Sequence, residues 1–448
     1  MKIRGLVIAA FVLLALTGFL YWSGRHKAEG DSTKPSADTP PAILKLDEAA
    51  VTRIELRKKD ASPLELTKSS SGDWKITQPH PLSADQSNVS SLVSTVSSLN
   101  SERLVEDHAT DLKTYGLEQP SLEVEVTGKD NKSQKLLLGD DTPAGGGAYA
   151  MLGGDPRIFT IASYNKNSLD KSVNDLRDKR LLTVAADKIS RLELVGKNQD
   201  LEFGRNKDEW QILKPRPLRA DGTEVGDLIS KLSDAKMDLS GSAGDQSSAF
   251  AQAAPVATAK VTDQSGTQEL QIRKSKDKDT YYAKSSIVEG AYKIDLALGK
   301  EVDKGLDDFR NKKLFDFGYN QPNKIELHNE GKAYFLTRST KGDDWWSNGK
   351  KMDAATVEEL VSKLRALAAT KFADSGFLSP SIAATVTSDD GKRTEKIEIR
   401  KSGDHYLAKR ENEPTLYELD ASSVRELVSA ADGVKPAPSS PSEAQKKP

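Results

Sequence analysis

The feature that most constrains this chain is that it repeats itself, with a period of about 130 residues. A first copy carries VTRIEL (51–56), DWKITQPHPLSAD (73–85) and then Val89, Leu92, Val93, Val96 and Leu99 at helical spacing. A second carries ISRLEL (189–194), EWQILKPRPLRAD (209–221) and Val225, Leu228, Ile229 and Leu232. Trp74 and Trp210 each stand eleven residues before an aspartate, Asp85 or Asp221, and Pro79 matches Pro215.

The third copy is shorter in one place. It carries NKIEL (323–327), DWWSNGKKMDAAT (344–356) and Val357, Leu360, Val361, Leu364 and Leu367. Trp346, taken as the partner of Trp74 and Trp210, lies seven residues before Asp353, so the proline-containing connector is cut down. The second halves correspond as well: SLEVEV (121–126), VATAKV (256–261) and SIAATV (381–386), then Tyr149, Tyr282 and Tyr406. Period-two alternation makes the short runs half-buried strands, and the i, i+3, i+4, i+7 spacing after each aspartate makes an amphipathic helix. Each unit therefore reads as three strands, a helix, four strands and a helix. Short strands joined by turn residues favour antiparallel meanders with helices on one face, which places the fold in the α+β class.

The N-terminus has a different character. Residues 6–22, LVIAAFVLLALTGFLYW, are uncharged and follow Lys2 and Arg4. A helix of that length reaches about 25 Å, just enough to span a bilayer. No A-x-A-like site follows, so the segment is predicted to stay as a transmembrane anchor. The full expectation is an anchor over 1–27 and a flexible linker over 28–48. Three tandem, mainly antiparallel units with two helices each then cover 49–182, 187–315 and 322–433, and a disordered tail covers 434–448. Flanking charge nearly balances, so orientation rests on the order of basic start, apolar run and long polar domain. That order predicts a single-pass protein of a bacterial inner membrane with its repeats in the periplasm.

Composition excludes several functions. There is no cysteine, hence no disulfide framework, thiolate nucleophile or lipidated cysteine. The 65 Lys+Arg against 67 Asp+Glu leave no basic excess to neutralise phosphates, so a nucleic-acid partner is not expected. The five histidines, His26, His80, His108, His328 and His405, are nowhere paired at metal-ligand spacing. No HExxH or GxSxG motif occurs, so neither a catalytic residue set nor a cofactor or metal site is assigned.

Individual residues read mainly as structure. Asp85, Asp221 and Asp353 precede apolar-periodic runs, as helix N-caps do, and Asp221 with Glu224 resembles a capping box. Trp74, Trp210 and Trp346 read as core residues of the third strand, with a sugar-stacking surface as the alternative. The glycine-rich stretch 139–147 lacks the Lys-Ser/Thr of a phosphate loop and reads as a hairpin connection. Arg177 to Arg180 and Arg310 to Lys313 read as helix C-terminal turns, with a basic patch for anionic polymers as the alternative.

Trp74-x-Ile76, Pro79, Ala84-Asp85, Tyr115-Gly-Leu-x-x-Pro120, Gly139 to Tyr149 and Arg177-Asp-Lys-Arg-Leu181 together resemble the bacterial domain-of-unknown-function family 4340. The second unit departs by having Phe250 in place of Tyr-Gly-Leu, and the third lacks the closing basic turn. The resemblance implies a membrane-anchored envelope protein, of a kind often encoded beside ABC transporter components of the gliding-motility type. It implies no catalytic or binding residues. The functional expectation is a non-enzymatic scaffold or accessory partner of such a transporter. The alternative is an extracytoplasmic binding module for an envelope glycan or a small solute.

Overall fold

Alternating sequence sets the core face of the same strand in every copy. Ile54 and Leu56, Leu192 and Leu194, and Ile325 and Leu327 are all sealed from solvent; between them Glu193 and Glu326 are half-buried, and Glu55, 4% exposed, is covered by its ion pairs with Arg53 and Arg57. The computed structural model describes residues 42–438, apart from 45, 197–199, 208, 241–244, 277, 319–320, 339–341 and 343. The chain divides into two compact units, the first ending at Asp178 and the second beginning at Lys179. The first unit holds one repeat and the second holds the other two.

The first repeat contains β1 (Val51–Lys58), β2 (Leu64–Lys68), β3 (Trp74–Gln78), β4 (Leu82–Ser83), β5 (Arg103–Glu106), β6 (Leu122–Gly128), β7 (Ser133–Asp141), β8 (Gly147–Leu152) and β9 (Ile158–Ala162). Its helices are α1 (Gln86–Ser97), α2 (Ser163–Leu169) and α3 (Val173–Leu176). The sheet runs β4-β3-β2-β1-β6-β7-β8-β9-β5.

The second repeat contains β10 (Arg191–Gly196), β11 (Asp200–Asn206), β12 (Glu209–Lys214), β13 (Leu218–Arg219), β14 (Ala254–Asp263), β15 (Gly266–Lys274), β16 (Tyr281–Ser285) and β17 (Ala291–Ile294). With it come α4 (Gly222–Ser233), α5 (Ser247–Gln252), α6 (Leu296–Glu301) and α7 (Leu306–Phe309). The third contains β18 (Lys324–Asn329), β19 (Lys332–Arg338), β20 (Trp345–Ser347), β21 (Lys350–Lys351), β22 (Lys371–Ala373), β23 (Ile382–Ser388), β24 (Arg393–Ser402), β25 (His405–Arg410) and β26 (Leu416–Leu419). Its helices are α8 (Ala354–Ala366) and α9 (Ala421–Asp432).

These sheets have the same order as the first, β13-β12-β11-β10-β14-β15-β16-β17 and β21-β20-β19-β18-β23-β24-β25-β26-β22. Among the described residues the second has no counterpart of the outermost strand; a single bridge from Asp238 to Lys293 stands there instead. Each sheet packs one face on its helices and closes its own hydrophobic core. The other face is solvated, as a meander with helices on one side requires.

Two parts of the expected architecture need correction. Two helices per unit holds only for the third repeat; the first has three and the second four, nine among the described residues. The extra ones, such as α3 and α7, span a single turn, which is too short to display helical periodicity in sequence. The expected transmembrane helix falls within residues 1–41, outside the described residues. Among the described residues no helix is long and apolar enough to cross a membrane. The longest, α8, has 13 residues and covers about 20 Å, short of the ~30 Å hydrocarbon layer. The architecture described is three antiparallel sheets with nine helices.

The ends of the repeats are tied down by backbone pairing. Of the segment read as a linker, Ile43 donates to Leu99 O, and Ile43 and Leu44 are buried in the first core. Of the segment read as a tail, Ala437 donates to Lys351 O, and Asp353 N donates to Lys435 O.

Candidate functional site

A dense polar cluster lies within the second unit, where the second repeat gives way to the third. It starts from a local pattern common to all copies. A return segment lies beside the residues that precede the capping aspartate, through bridges Ala84 to Arg177, Ala220 to Arg310 and Met352 to Pro436. In the second repeat, Asp221 N donates to Phe309 O and Asn311 N donates to Arg219 O. The chain then pairs with the third repeat, Leu314 N donating to Leu367 O and Ala369 N to Lys312 O. Arg219 is thereby placed at the handover.

Its guanidinium gathers groups from both repeats. Nη2 donates to Lys313 O at 2.5 Å and to the Tyr417 hydroxyl at 3.2 Å. Nε lies 3.1 Å from Glu413 Oε1, and Nη1 lies 3.7 Å from Asp316 Oδ2. These last two are ion pairs without hydrogen-bond alignment. Tyr417 donates to Glu413 at 2.7 Å, and Arg410 Nε donates to the same carboxylate at 2.7 Å. Arg410 also reaches Glu395 at 3.1 Å and Leu314 O. Glu395, 6% exposed, accepts from Asp316 N at 3.0 Å.

Beside this network Arg310, 7% exposed, lies 3.4 Å over the Phe372 ring and donates to Asp307 and Thr415. A guanidinium on an aromatic face keeps its charge while its flat surface is covered. Burial opposes the charge on Arg219, but Tyr417, Glu413 and Asp316 outweigh it and raise its pKa above the ordinary value. Burial pushes the Tyr417 phenol up; Arg219 pulls it back, and Glu413 adds to the rise. The charges neutralise one another, so the arrangement holds elements in place. A partly buried ion network like this one offsets its Coulombic gain against desolvation, so its groups hold one another in place while adding little net stability.

Two open clefts flank the network. One, of about 360 Å³, is lined by Trp210, Gln211, Arg219, Asn311, Lys313 and Asp316 among others. The other, of about 370 Å³, is lined by Lys396, Glu398, Lys409, Arg410 and Glu413 with neighbouring loop residues.

The residues singled out in the sequence are distributed as follows. Asp85, Asp221 and Asp353 are N-caps, each accepting from two backbone amides of the first turn. Glu224 does not complete a box with Asp221; it turns to Lys304 at 2.7 Å. Trp74 is buried and Trp210 is half-buried against the second core. Trp346 is not their counterpart. Trp74 pairs with Lys68, Trp210 with Arg205 and Trp345 with Arg338, so Trp345 takes the core position at 1% exposure while Trp346 is 43% exposed. A slip of one residue in a strand exchanges the two faces.

The glycine stretch is the β7–β8 hairpin connection, with Gly145 and Gly146 at positive φ. Gly139 serves a different purpose: a Cβ there would stand 2.0 Å from Tyr115 O, so the Tyr-Gly-Leu segment crosses directly over it. Arg310 is the C-cap residue of α7, and its guanidinium turns back to Asp307 of that helix while also reaching Phe372 and Thr415 of the third repeat. His328 packs edge-on against Phe335, and His405 lies 3.9 Å from Glu418. Among the described residues no three His, Cys, Asp or Glu side chains converge as metal ligands do.

Arg219, Tyr417 and Glu413 were not singled out by the repeat pattern. The one available signal is a difference between copies: the position before Ala-Asp is Ser83 in the first repeat and Arg219 in the second.

The model of the family described as Domain of unknown function (DUF4340) matches residues 74–236 and 210–387. Both windows open on an equivalent tryptophan, Trp74 or Trp210, and together they cover well over half of the chain, which belongs to that family. No curated protein and no solved structure matches it.

Proposed function

We propose that this member of the DUF4340 family is a non-enzymatic envelope protein that serves as an accessory scaffold of an ABC-type transporter assembly, with its repeats on the periplasmic side of the bacterial inner membrane. The observation that carries the scaffold reading is the Arg219–Glu413–Tyr417 network, which joins the second and third repeats through groups supplied by both. A partner-binding surface built on two elements needs them held in one arrangement before the partner arrives, because ordering them on binding costs affinity. The placement in the envelope is supported by the basic start and the apolar run of residues 6–22.

Affinity capture of the full chain from detergent-solubilised membranes tests the proposal. Enrichment of transporter subunits, reduced by Arg219→Ser or Glu413→Ala, is the expected result. Recovery without transporter subunits, or enrichment that both variants leave untouched, rejects it. Protease added to spheroplasts should cut the repeats; their full protection rejects the periplasmic placement.

A further inference from the structure

One position on the solvated sheet face differs in kind between the copies. Strand register makes Glu65, Glu202 and Phe335 equivalent, since they pair with Glu55, Glu193 and Glu326. In the first repeat Glu65 is held by Arg53 at 2.6 Å and by Thr77 at 2.6 Å. In the second, Glu202 is held by Arg191 at 2.9 Å and Lys214 at 2.7 Å. These carboxylate side chains keep only 15% and 9% of their surface exposed. In the third repeat that carboxylate is replaced by Phe335, which is 43% exposed.

The shortened connector explains the exposure. Strands β3 and β12 run on past the bulge to pair Gln78 with Glu65 and Lys214 with Glu202. Trp345 stands eight residues before Asp353 instead of eleven, and β20 ends at Ser347 before it can flank Phe335. The same register puts Trp346 where Lys75 and Gln211 stand, opposite Thr337 on the solvated face. His328, across from Ala333, packs edge-on against Phe335 at 5.4 Å.

We infer that the solvated face of the third repeat, centred on Phe335 and Trp346, is a binding platform for a neutral, extended sugar chain. The size of the patch argues for a sugar over a protein. Phe335 and Trp346 each expose 43% of their surface, together roughly 200 Å² for side chains of this class. A stable protein interface takes about 800 Å² from each partner. The neighbouring charges argue for a neutral occupant. Lys324, which stands where Arg53 and Arg191 do, is paired with Glu326 at 2.5 Å, and Lys351 is paired with Asp344 at 2.9 Å. Exposed aromatic rings beside hydroxyl and ion-paired groups suit a pyranose, which has apolar C–H faces and an equatorial rim of hydroxyls; Thr337, Thr385 and Glu326 stand next to the rings in register.

The test is calorimetric titration of the full-length protein in detergent with two probes, the β-1,4-linked tetramers of N-acetylglucosamine and of glucose. Binding of at least one, accompanied by a change in tryptophan fluorescence, is expected. Trp346→Ala and Phe335→Glu should each weaken it about tenfold or more while the melting temperature holds. Phe335→Glu is a safe probe of the fold because the equivalent position carries glutamate in the other two copies. Trp210→Ala, which alters the cleft at the repeat junction, should leave binding unchanged. Absence of heat with both tetramers, or binding that survives both substitutions, overturns the inference. So does an altered self-association or transporter capture by Trp346→Ala in place of lost sugar binding.

Discussion

Arg219 and Tyr417, 198 positions apart in the chain, meet at 3.2 Å between guanidinium and hydroxyl, with Glu413 closing the contact from the other side. Removing the arginine leaves a buried phenol and a carboxylate short of a cation. Arg219→Ala should therefore lower stability by about 2–4 kcal/mol, and Tyr417→Phe, which removes only a hydroxyl, by about 1 kcal/mol. Thermal melting gives both values. Amide exchange should quicken at residues 313–316 in Arg219→Ala; exchange and melting like the wild type's would mean that the junction is not held there.

The adjacent tryptophans of β20 separate core from surface within one dipeptide. Trp345→Ala should cost about 3–5 kcal/mol, because it empties a sealed position, whereas Trp346→Ala should cost less than about 1 kcal/mol. Equal losses in denaturant titrations would refute the register.

Gly299 lies in α6 with the Tyr281 ring so close that a Cβ would stand 2.2 Å from it, while Gly226 in α4 faces open space. Gly299→Ala should destabilise by about 1–3 kcal/mol through overpacking. Gly226→Ala should stabilise by about 0.5–1 kcal/mol, since alanine loses less backbone freedom in a helix. The opposite signs, read from two melting curves, are the check.

Asp238 accepts from the Ser240 hydroxyl and amide and from Lys293, which hold its pKa down from 3.8 to about 2. A depressed carboxylate contributes stability that is full above its unfolded value and is lost as pH falls toward the folded one. Asp238→Asn should therefore narrow the stability gap to wild type between about pH 4 and pH 2. Because the group is partly solvated, the gap itself should be about 1 kcal/mol or less. A gap that stays constant across that window would show that the carboxylate is not the cause.

Much of each repeat is written locally. Alternation set the buried faces of β1, β10 and β18, and an aspartate before an apolar-periodic run set the starts of α1, α4 and α8, because strand pleat and helix turn act over a few residues. The repetition itself is legible for the same reason: similar spacing folds into similar sheets. One-turn helices such as α7 were beyond that reading, since a single turn carries no period.

What the sequence by itself determined is thus the repeated antiparallel sheet unit, its strand faces and its caps, all properties of neighbours along the chain. Tertiary structure alone decided that Trp345 and not Trp346 enters the core, because strand register is a relation between β19 and β20 and one residue of slip exchanges their faces. It also decided that Arg219 meets Tyr417 and that Phe335 stands open where its counterparts are ion-paired. Burial and pairing depend on what the fold brings from far along the chain, and no local spacing encodes that.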